Sequence, residues 1–188
     1  GFDFEHGRLD TSHHPFCGGV PEDVRLTTRY NSTDFLQSLF AVIHETGHAM
    51  YEQGRPIAWR SQPVSEALSM GTHESQSLLM EMQACRSLNF VEFAAPIMAE
   101  SFGHSANEPA WSAENLYRHV TQVKRGYIRV DADEVTYPLR VILRYELEKA
   151  LLEGSLEVDD LPAAWDEKMT TYLGISTVGN FENGVLQD

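Results

Sequence analysis

Residues 31–54 read NSTDFLQSLFAVIHETGHAMYEQG, and this stretch decides the fold. It begins with residues that favour helix N-caps, and apolar residues then recur at helical spacing, at Phe35, Leu36, Leu39, Phe40 and Ile43. Gly54 ends the pattern and Pro56 follows it, which is typical of a helix C-terminus. The sequence therefore predicts a helix that carries the pattern HExxH at residues 44–48.

The HExxH pattern has the spacing of a metal site. On a helix His44 and His48 lie one turn apart on one face, and Glu45 is rotated by about 100° from His44. Two metal ligands and a general base follow from this spacing. Gly47 inside a helix costs about 1 kcal/mol relative to alanine, which favours the close approach of another group at that position.

A third ligand must come from another segment, because catalytic zinc usually takes three protein ligands and keeps one position open. Glu74, 30 residues after His44, lies near the start of the next predicted helix. An antiparallel helix pair would bring it beside the first helix. We favour Glu74, because a His-His-Glu set with the glutamate on a following helix recurs in a large branch of zinc peptidases. His73 is the alternative ligand.

Composition excludes several classes of protein. The 188 residues contain 14 Lys and Arg against 28 Asp and Glu, a formal net charge of -14. Such an acidic surface repels phosphate backbones and anionic membranes, so we expect neither nucleic-acid nor membrane partners. The chain has no run of 18 apolar residues. Cys17 and Cys85 match no disulfide framework, which fits a reducing compartment and a cytoplasmic location.

The rest of the chain predicts a mainly α fold, a helical array around the HExxH helix. Residues 1–31 contain glycines and prolines and are predicted to be irregular. At most a short β-strand or hairpin is expected near residues 123–131, where 127–130 are rich in β-formers. Further helices are predicted from between Ser65 and His73 to near Ser87, then to about Phe102, from Ser112 to about Lys124, from Leu139 to Gly154, and from Asp160 to Gly174.

Five motifs together resemble one family. They are HPF at 14–16, DVRLT at 23–27, HESQ at 73–76, IRVDAD at 128–133 and GVLQD at 184–188. In this order around the HExxH they resemble the HPF, DxRxT, HES-type and IRxxAD motifs of the carboxypeptidase Taq family and the start of its GxxQDxHW motif. The last match stops before the His and Trp of that motif.

The resemblance has implications beyond the metal site. Members of this family are considerably longer, so residues 1–188 resemble their metal-bearing C-terminal part and are expected to form a single catalytic-region fragment. The family implies zinc as cofactor, with cobalt possible, and the release of single residues from peptides with a free C-terminus. It also implies a homodimer in the full-length protein.

The chemistry that the resemblance implies is metal-assisted hydrolysis. Zinc polarises the scissile carbonyl and acidifies a bound water, and Glu45 takes the proton of the water and passes it to the leaving amine. A carboxypeptidase also binds the terminal carboxylate, for which a guanidinium fork is suited. The resemblance favours Arg129 over Arg25 as this anchor. The structural alternative for each is an ion pair with neighbouring carboxylates, those of Asp131 or Asp133 and of Asp23.

The sequence leaves the roles of the remaining polar candidates open. The HPF motif places His14 near the active site as a donor to the substrate or to the developing oxyanion, and a turn histidine without chemistry is the alternative. Other possible oxyanion donors are Tyr51, Tyr127 and Tyr137. Four further histidines are expected to face solvent or to pack, namely His6, His13, His104 and His119. Rival functions are an HExxH endopeptidase or aminopeptidase, and an inactive metal-binding fragment or assembly module.

Overall fold

The computed structural model describes residues 1–185, apart from the side chain of Val130. The chain divides into two compact units, Gly1–Tyr117 and Arg118–Asp188. The mainly α class is confirmed. None of the described helices is both long enough and apolar enough to cross a membrane. The helices are α1 Phe35–Gln53, α2 Met70–Leu78, α3 Leu88–Ser101, α4 Ala113–Val120, α5 Thr136–Leu152, α6 Leu161–Leu173 and α7 Phe181–Gly184.

The first unit also contains a small sheet, so the prediction that residues 1–31 are irregular is wrong. Its strands are β1 Gly7–Thr11, β2 Phe16–Val20 and β3 Asp23–Thr28, in the order β1-β3-β2. The β1 strand runs parallel to β3 and β2 runs antiparallel to it. The central strand β3 carries the apolar residues that bind the sheet to the rest of the unit.

The sheet escaped prediction because its pattern is short and its outer strands have low β-propensity. Only Val24 and Leu26, alternate residues of β3, are deeply buried apolar positions. The β2 strand contains Gly18 and Gly19, and Gly19 has a φ of 101° that other residues rarely adopt. Pairing with β3 holds β2 in place, and pairing between strands is not visible in local periodicity.

The α1 helix follows the prediction closely. Asp34 caps it by accepting a hydrogen bond from the backbone N–H of Gln37, and Gly54 is the C-cap. Ala49 is fully buried and packs with Val24 and Leu26 of the sheet. The α2 helix also packs on α1, and it continues into a π-helical turn over Leu79–Ala84. The α1 helix therefore lies between the sheet and α2, and both of these contribute side chains around it.

The strand predicted near residues 123–131 does not form. Among the described residues this segment has no strand, and Arg129–Asp131 form a 3₁₀ turn instead. The side chain of Arg140, on α5, is buried and donates hydrogen bonds to the carbonyls of Gly126 and Tyr127. A buried guanidinium thus satisfies backbone oxygens that a strand would have used in a ladder.

The second unit has its core between α5 and α6. Leu143 and Leu147 of α5 pack with Trp165, Met169 and Leu173 of α6. The predicted end of α6 at Gly174 is confirmed, because Gly174 adopts the left-handed conformation with a φ of 67°. Of the GVLQD match, residues 186–188 lie outside the described residues.

Candidate metal site

The two histidines of the HExxH pattern and Glu74 lie together in the first unit. His44 and His48 come from α1, and Glu74 comes from α2. One donor atom of each residue lies within 4.8 Å of the others. Oε2 of Glu74 is 3.2 Å from Nε2 of His48 and 3.7 Å from Nε2 of His44.

This spacing fits a tetrahedral metal centre. Zinc binds nitrogen and oxygen at about 2.0–2.2 Å, which places two ligand atoms at tetrahedral corners about 3.4 Å apart. The distances of 3.2 and 3.7 Å lie on either side of this value. Two imidazoles and one carboxylate are a donor set that suits zinc, and a set of three leaves one position for water or substrate.

A glycine sets the distance between the two helices that hold these donors. A Cβ atom on Gly47 would lie 2.5 Å from Cα of Ser77 and 2.7 Å from the carbonyl oxygen of Gln76. Ser77 is fully buried and lies three residues after Glu74. The predicted close approach at Gly47 is confirmed, and it is the backbone of α2 that approaches.

The outer nitrogen of His44 binds a carboxylate. Nδ1 of His44 lies 2.9 Å from Oε2 of Glu81, in the π-helical turn, and Oε1 of Glu81 accepts a hydrogen bond from Arg86 at 2.9 Å. Burial lowers the pKa of His44, but the hydrogen bonds to Glu74 and Glu81 outweigh it and raise the pKa to about 10. The carboxylates around His44 thus strongly favour a cation at this place.

The outer nitrogen of His48 binds a second histidine. Nδ1 of His48 lies 2.6 Å from Nδ1 of His73, whose Nε2 lies 2.8 Å from Oε1 of Glu52. Glu52 also accepts a hydrogen bond from Arg55 at 2.9 Å. Burial raises the pKa of Glu52, but the hydrogen bonds from Arg55 and His73 outweigh it and leave the pKa lowered. His73, the alternative ligand, therefore lies at the ring nitrogen of His48 opposite the one that faces Glu74.

Glu45 is buried beside this donor set, with 8% of its surface exposed. Burial raises the pKa of its carboxyl, and the neighbouring carboxylate of Glu74 acts in the same direction. The charges of His44, His48 and His14 act in the opposite direction, and the net effect is a raised pKa. A buried carboxylate of raised pKa is a stronger proton acceptor than an exposed one.

The sheet contributes a thiol near Glu45. Cys17, on β2, has its pKa raised to about 12 by burial and by the charges of Glu45 and Glu52. A thiol of such pKa stays protonated at neutral pH. Both cysteines are free.

The sequence matches the Carboxypeptidase Taq (M32) metallopeptidase family over residues 1–188. The chain belongs to this family. Curated relatives include Carboxypeptidase 1 of Bacillus subtilis, 41% identical, and Thermostable carboxypeptidase 1 of Thermus thermophilus, 44% identical. Both matches cover all of this chain, and 37% and 36% of the respective relatives.

A solved structure supports the same assignment. Metallocarboxypeptidase 1 of Trypanosoma cruzi is 53% identical and superposes with a TM-score of 0.94 over all of this chain and 37% of that chain. The resemblance to the carboxypeptidase Taq family is thus confirmed. The chain spans about 37% of the length of the relatives that it matches.

The other motifs of this M32 chain are distributed over both units. His14 is exposed just before β2, and its charge acts on Glu45. Arg25, on β3, is also exposed and binds both carboxylate oxygens of Asp23. It therefore forms the ion pair that is the structural alternative to substrate binding. Arg129 belongs to the second unit, where it donates a hydrogen bond to Oη of Tyr137 at 3.3 Å.

The remaining candidates of the sequence analysis have simpler environments. Tyr51 packs its ring edge-on against His73, with 5.0 Å between ring centroids, and Tyr127 donates a hydrogen bond to the carbonyl of Ser176. Four histidines are exposed as predicted, namely His6, His13, His104 and His119. None of these four lies in the donor set of the candidate site.

Sequence reasoning missed the residues behind the donors. Glu81, Glu52 and their arginine partners look like ordinary surface charges in the sequence. One signal was available for Glu81, because it follows Glu74 by seven residues, two helical turns on the same side. The contact between His48 and His73 had no sequence signal, because it joins two different helices.

Proposed function

We propose that this M32 chain is the metal-bearing catalytic region of a zinc metallocarboxypeptidase that releases single residues from peptide C-termini. One observation carries the proposal. The donor atoms of His44, His48 and Glu74 meet within 4.8 Å beside the buried carboxyl of Glu45. Zinc is the proposed ion and cobalt the alternative, since both suit two imidazoles and a carboxylate.

Glu45 is the proposed general base. Zinc, when bound, polarises the scissile carbonyl and lowers the pKa of a water towards about 7. Glu45 accepts a proton from the attacking water on its carboxylate and donates it to the leaving amine nitrogen. Its raised pKa supports both steps, because the carboxyl then holds the proton between them.

Substrate binding is assigned to the motif residues. Arg129 is the proposed anchor of the terminal carboxylate, because its fork can donate two parallel hydrogen bonds. Arg25 is the second candidate, and its pairing with Asp23 makes it less available. His14 is the proposed donor to the substrate or the oxyanion, which its electrostatic effect on Glu45 supports.

The family and the two cysteines also support proposals on the oligomeric state and the location of the enzyme. Residues 1–188 act as a single catalytic region of a longer enzyme, as the 37% coverage of the relatives supports. The full-length protein is proposed to be a cytoplasmic homodimer. The free Cys17 and Cys85 support a reducing compartment.

Paired peptides test the proposal. Zinc-loaded protein is incubated with a peptide that has a free C-terminus and with the same peptide amidated, and His44→Ala is the matched control. We expect release of the last residue from the free peptide alone, and no release by the variant. Equal cleavage of both peptides would indicate an endopeptidase, and bound zinc without any cleavage would indicate a metal-binding or assembly module.

A further inference from the structure

The imidazole of His48 is engaged at both ring nitrogens. Nε2 lies 3.2 Å from Oε2 of Glu74, on the side of the proposed metal. Nδ1 lies 2.6 Å from Nδ1 of His73, and Nε2 of His73 lies 2.8 Å from Glu52. A chain of three side chains thus begins at a carboxylate and ends at a proposed metal ligand.

The carboxylate determines where the protons lie in this chain. Glu52 can only accept hydrogen bonds, so Nε2 of His73 carries the proton that it donates to Glu52. When a metal ion is bound at Nε2 of His48, the proton of that ring lies on Nδ1, which donates to the lone pair on Nδ1 of His73. Without the ion, Nε2 of His48 faces the carboxylate of Glu74, which also only accepts, so this tautomer belongs to the metal-bound ring.

Further contacts fix Glu52 and His73, the two members of this chain that lie farther from the metal position. Arg55 binds Glu52 at 2.9 Å, and Arg60 donates hydrogen bonds to the backbone carbonyls of Arg55 and Gln53. The ring of Tyr51 lies edge-on against the ring of His73. Neither Glu52 nor His73 can reorient without breaking these contacts.

We propose that His73 is a positioning residue, which holds His48 in the tautomer and orientation that bind the metal, and that Glu52 in turn orients His73. This role rests on the proposed metal site. His44 obtains the same support directly, because Glu81 lies at its Nδ1. At His48 the ring of His73 lies between Nδ1 and the carboxylate of Glu52, so His73 transmits the effect of Glu52. Outer partners of this kind typically change metal affinity by about 10- to 100-fold.

Metal affinity of the intact chain tests this role, measured by competition with a zinc chelator at fixed pH. His73→Phe retains the ring and removes the acceptor, so we expect zinc affinity to fall by about 10- to 100-fold. His73→Asn places an amide oxygen near the former Nδ1, so it should recover most of this loss. Glu52→Gln should cause a smaller loss than His73→Phe. His104→Phe, which removes another histidine paired with a glutamate, is the matched control.

A third His73 variant separates positioning from packing, because phenylalanine is larger than histidine and can overpack the site. Asparagine leaves a void, so a purely packing role would make His73→Asn a weaker zinc binder than His73→Leu, which lacks the acceptor without overpacking. A positioning role makes it the stronger one. Thermal midpoints measured with a chelator present show whether each variant is folded.

Two results would overturn the role. One is His73→Phe with zinc affinity within twofold of the parent, while His44→Ala loses binding. The other is a proton on Nδ1 of His73 in nitrogen-15 NMR spectra of the zinc-loaded protein. Failure of the proposed function looks different, because the parent chain would then bind zinc no better than His44→Ala.

Discussion

Gly47 and Ser77 bring two helices into backbone contact. A Cβ atom at Gly47 would lie 2.5 Å from Cα of Ser77, closer than any real contact allows. On α1, Gly47 lies between His44 and His48. On α2, Ser77 lies three residues after Glu74. The absence of a side chain at Gly47 therefore sets the distance at which Glu74 meets the histidines.

Gly47→Ala should separate α1 from α2. The added methyl group meets backbone atoms of Gln76 and Ser77, which cannot rotate away. Overpacking of this kind costs about 1–3 kcal/mol, although alanine is the better helix former. We expect a lower free energy of unfolding in urea and a weaker zinc affinity.

Gly71→Ala is the matched control for this substitution. Gly71 is also helical, in the first turn of α2, and the nearest atom to an added Cβ is Oγ of Ser69 at 3.7 Å. The variant should be as stable as the parent or more stable, with unchanged zinc affinity. If Gly47→Ala behaved in the same way, the helix contact would not control the site.

Glu45→Gln should abolish turnover and leave zinc bound. The amide cannot take a proton from water, and loss of a positioned general base typically lowers the rate by about 10²–10⁴-fold. Metal stoichiometry and hydrolysis of a free-carboxylate peptide are measured on the same zinc-loaded sample, with the exposed Glu100→Gln as control. Loss of zinc along with activity would make Glu45 a ligand or a support of the fold.

The sequence predicted the parts of this chain whose signals are local. The N-cap Asp34, the C-cap Gly54 and the spacing of His44 and His48 all lie within one helix, where the 3.6-residue period is readable. Glu74 required a second helix and could be placed only by spacing and resemblance. The cost of Gly47 in a helix indicated a close approach but not which group approaches.

The missed parts depend on pairings between distant residues. The β1 strand pairs with β3 across 17 residues, as Gly7 with Val24, and each strand gains stability only from its partner. The segment near Tyr127 has β-forming residues, yet the buried Arg140 takes its carbonyl oxygens. Neither outcome follows from local propensity.

Asp133 should make the stability of the second unit depend on pH in the acidic range. Its carboxylate accepts hydrogen bonds from the N–H groups of Val135 and Thr136, where α5 starts, and from that of Lys124. Burial raises the pKa of Asp133, but these hydrogen bonds outweigh it and leave the pKa lowered. Asp133→Ala, which removes this cap, should cost about 0.5–2 kcal/mol near neutral pH.

The sign of the pH dependence follows from the lowered pKa. The charge of Asp133 stabilises the fold fully above its unfolded pKa of about 3.9, and this stabilisation is lost as the pH falls through the lower folded value. The free energies of unfolding in urea of the parent and of Asp133→Asn should therefore begin to converge near pH 4 and meet only below the lower, folded pKa. Exposed Asp159→Asn serves as control. A constant difference down to acidic pH would exclude the charge as the cause.

Arg129→Ala should reduce kcat/KM for peptides with a free C-terminus. Loss of a charge-assisted hydrogen bond is typically worth about 1.5–3 kcal/mol. Arg129→Lys should recover little, because an ammonium cannot reproduce the guanidinium fork. Amidated peptides lack the carboxylate that Arg129 would bind, so their hydrolysis should hardly respond. Proportional loss for both kinds of peptide would make Arg129 a structural residue and Arg25 the better anchor.

A crystal structure of the zinc-soaked protein, with the metal located by its anomalous signal, tests the central claim most directly. We predict one zinc ion bound by Nε2 of His44, Nε2 of His48 and a carboxylate oxygen of Glu74, at about 2.0–2.2 Å. His73 should remain bound to Nδ1 of His48, outside the coordination sphere. Zinc ligated by His73, or Glu74 more than about 6 Å from both histidines, would contradict the account, because three ligands of one zinc ion lie far closer together.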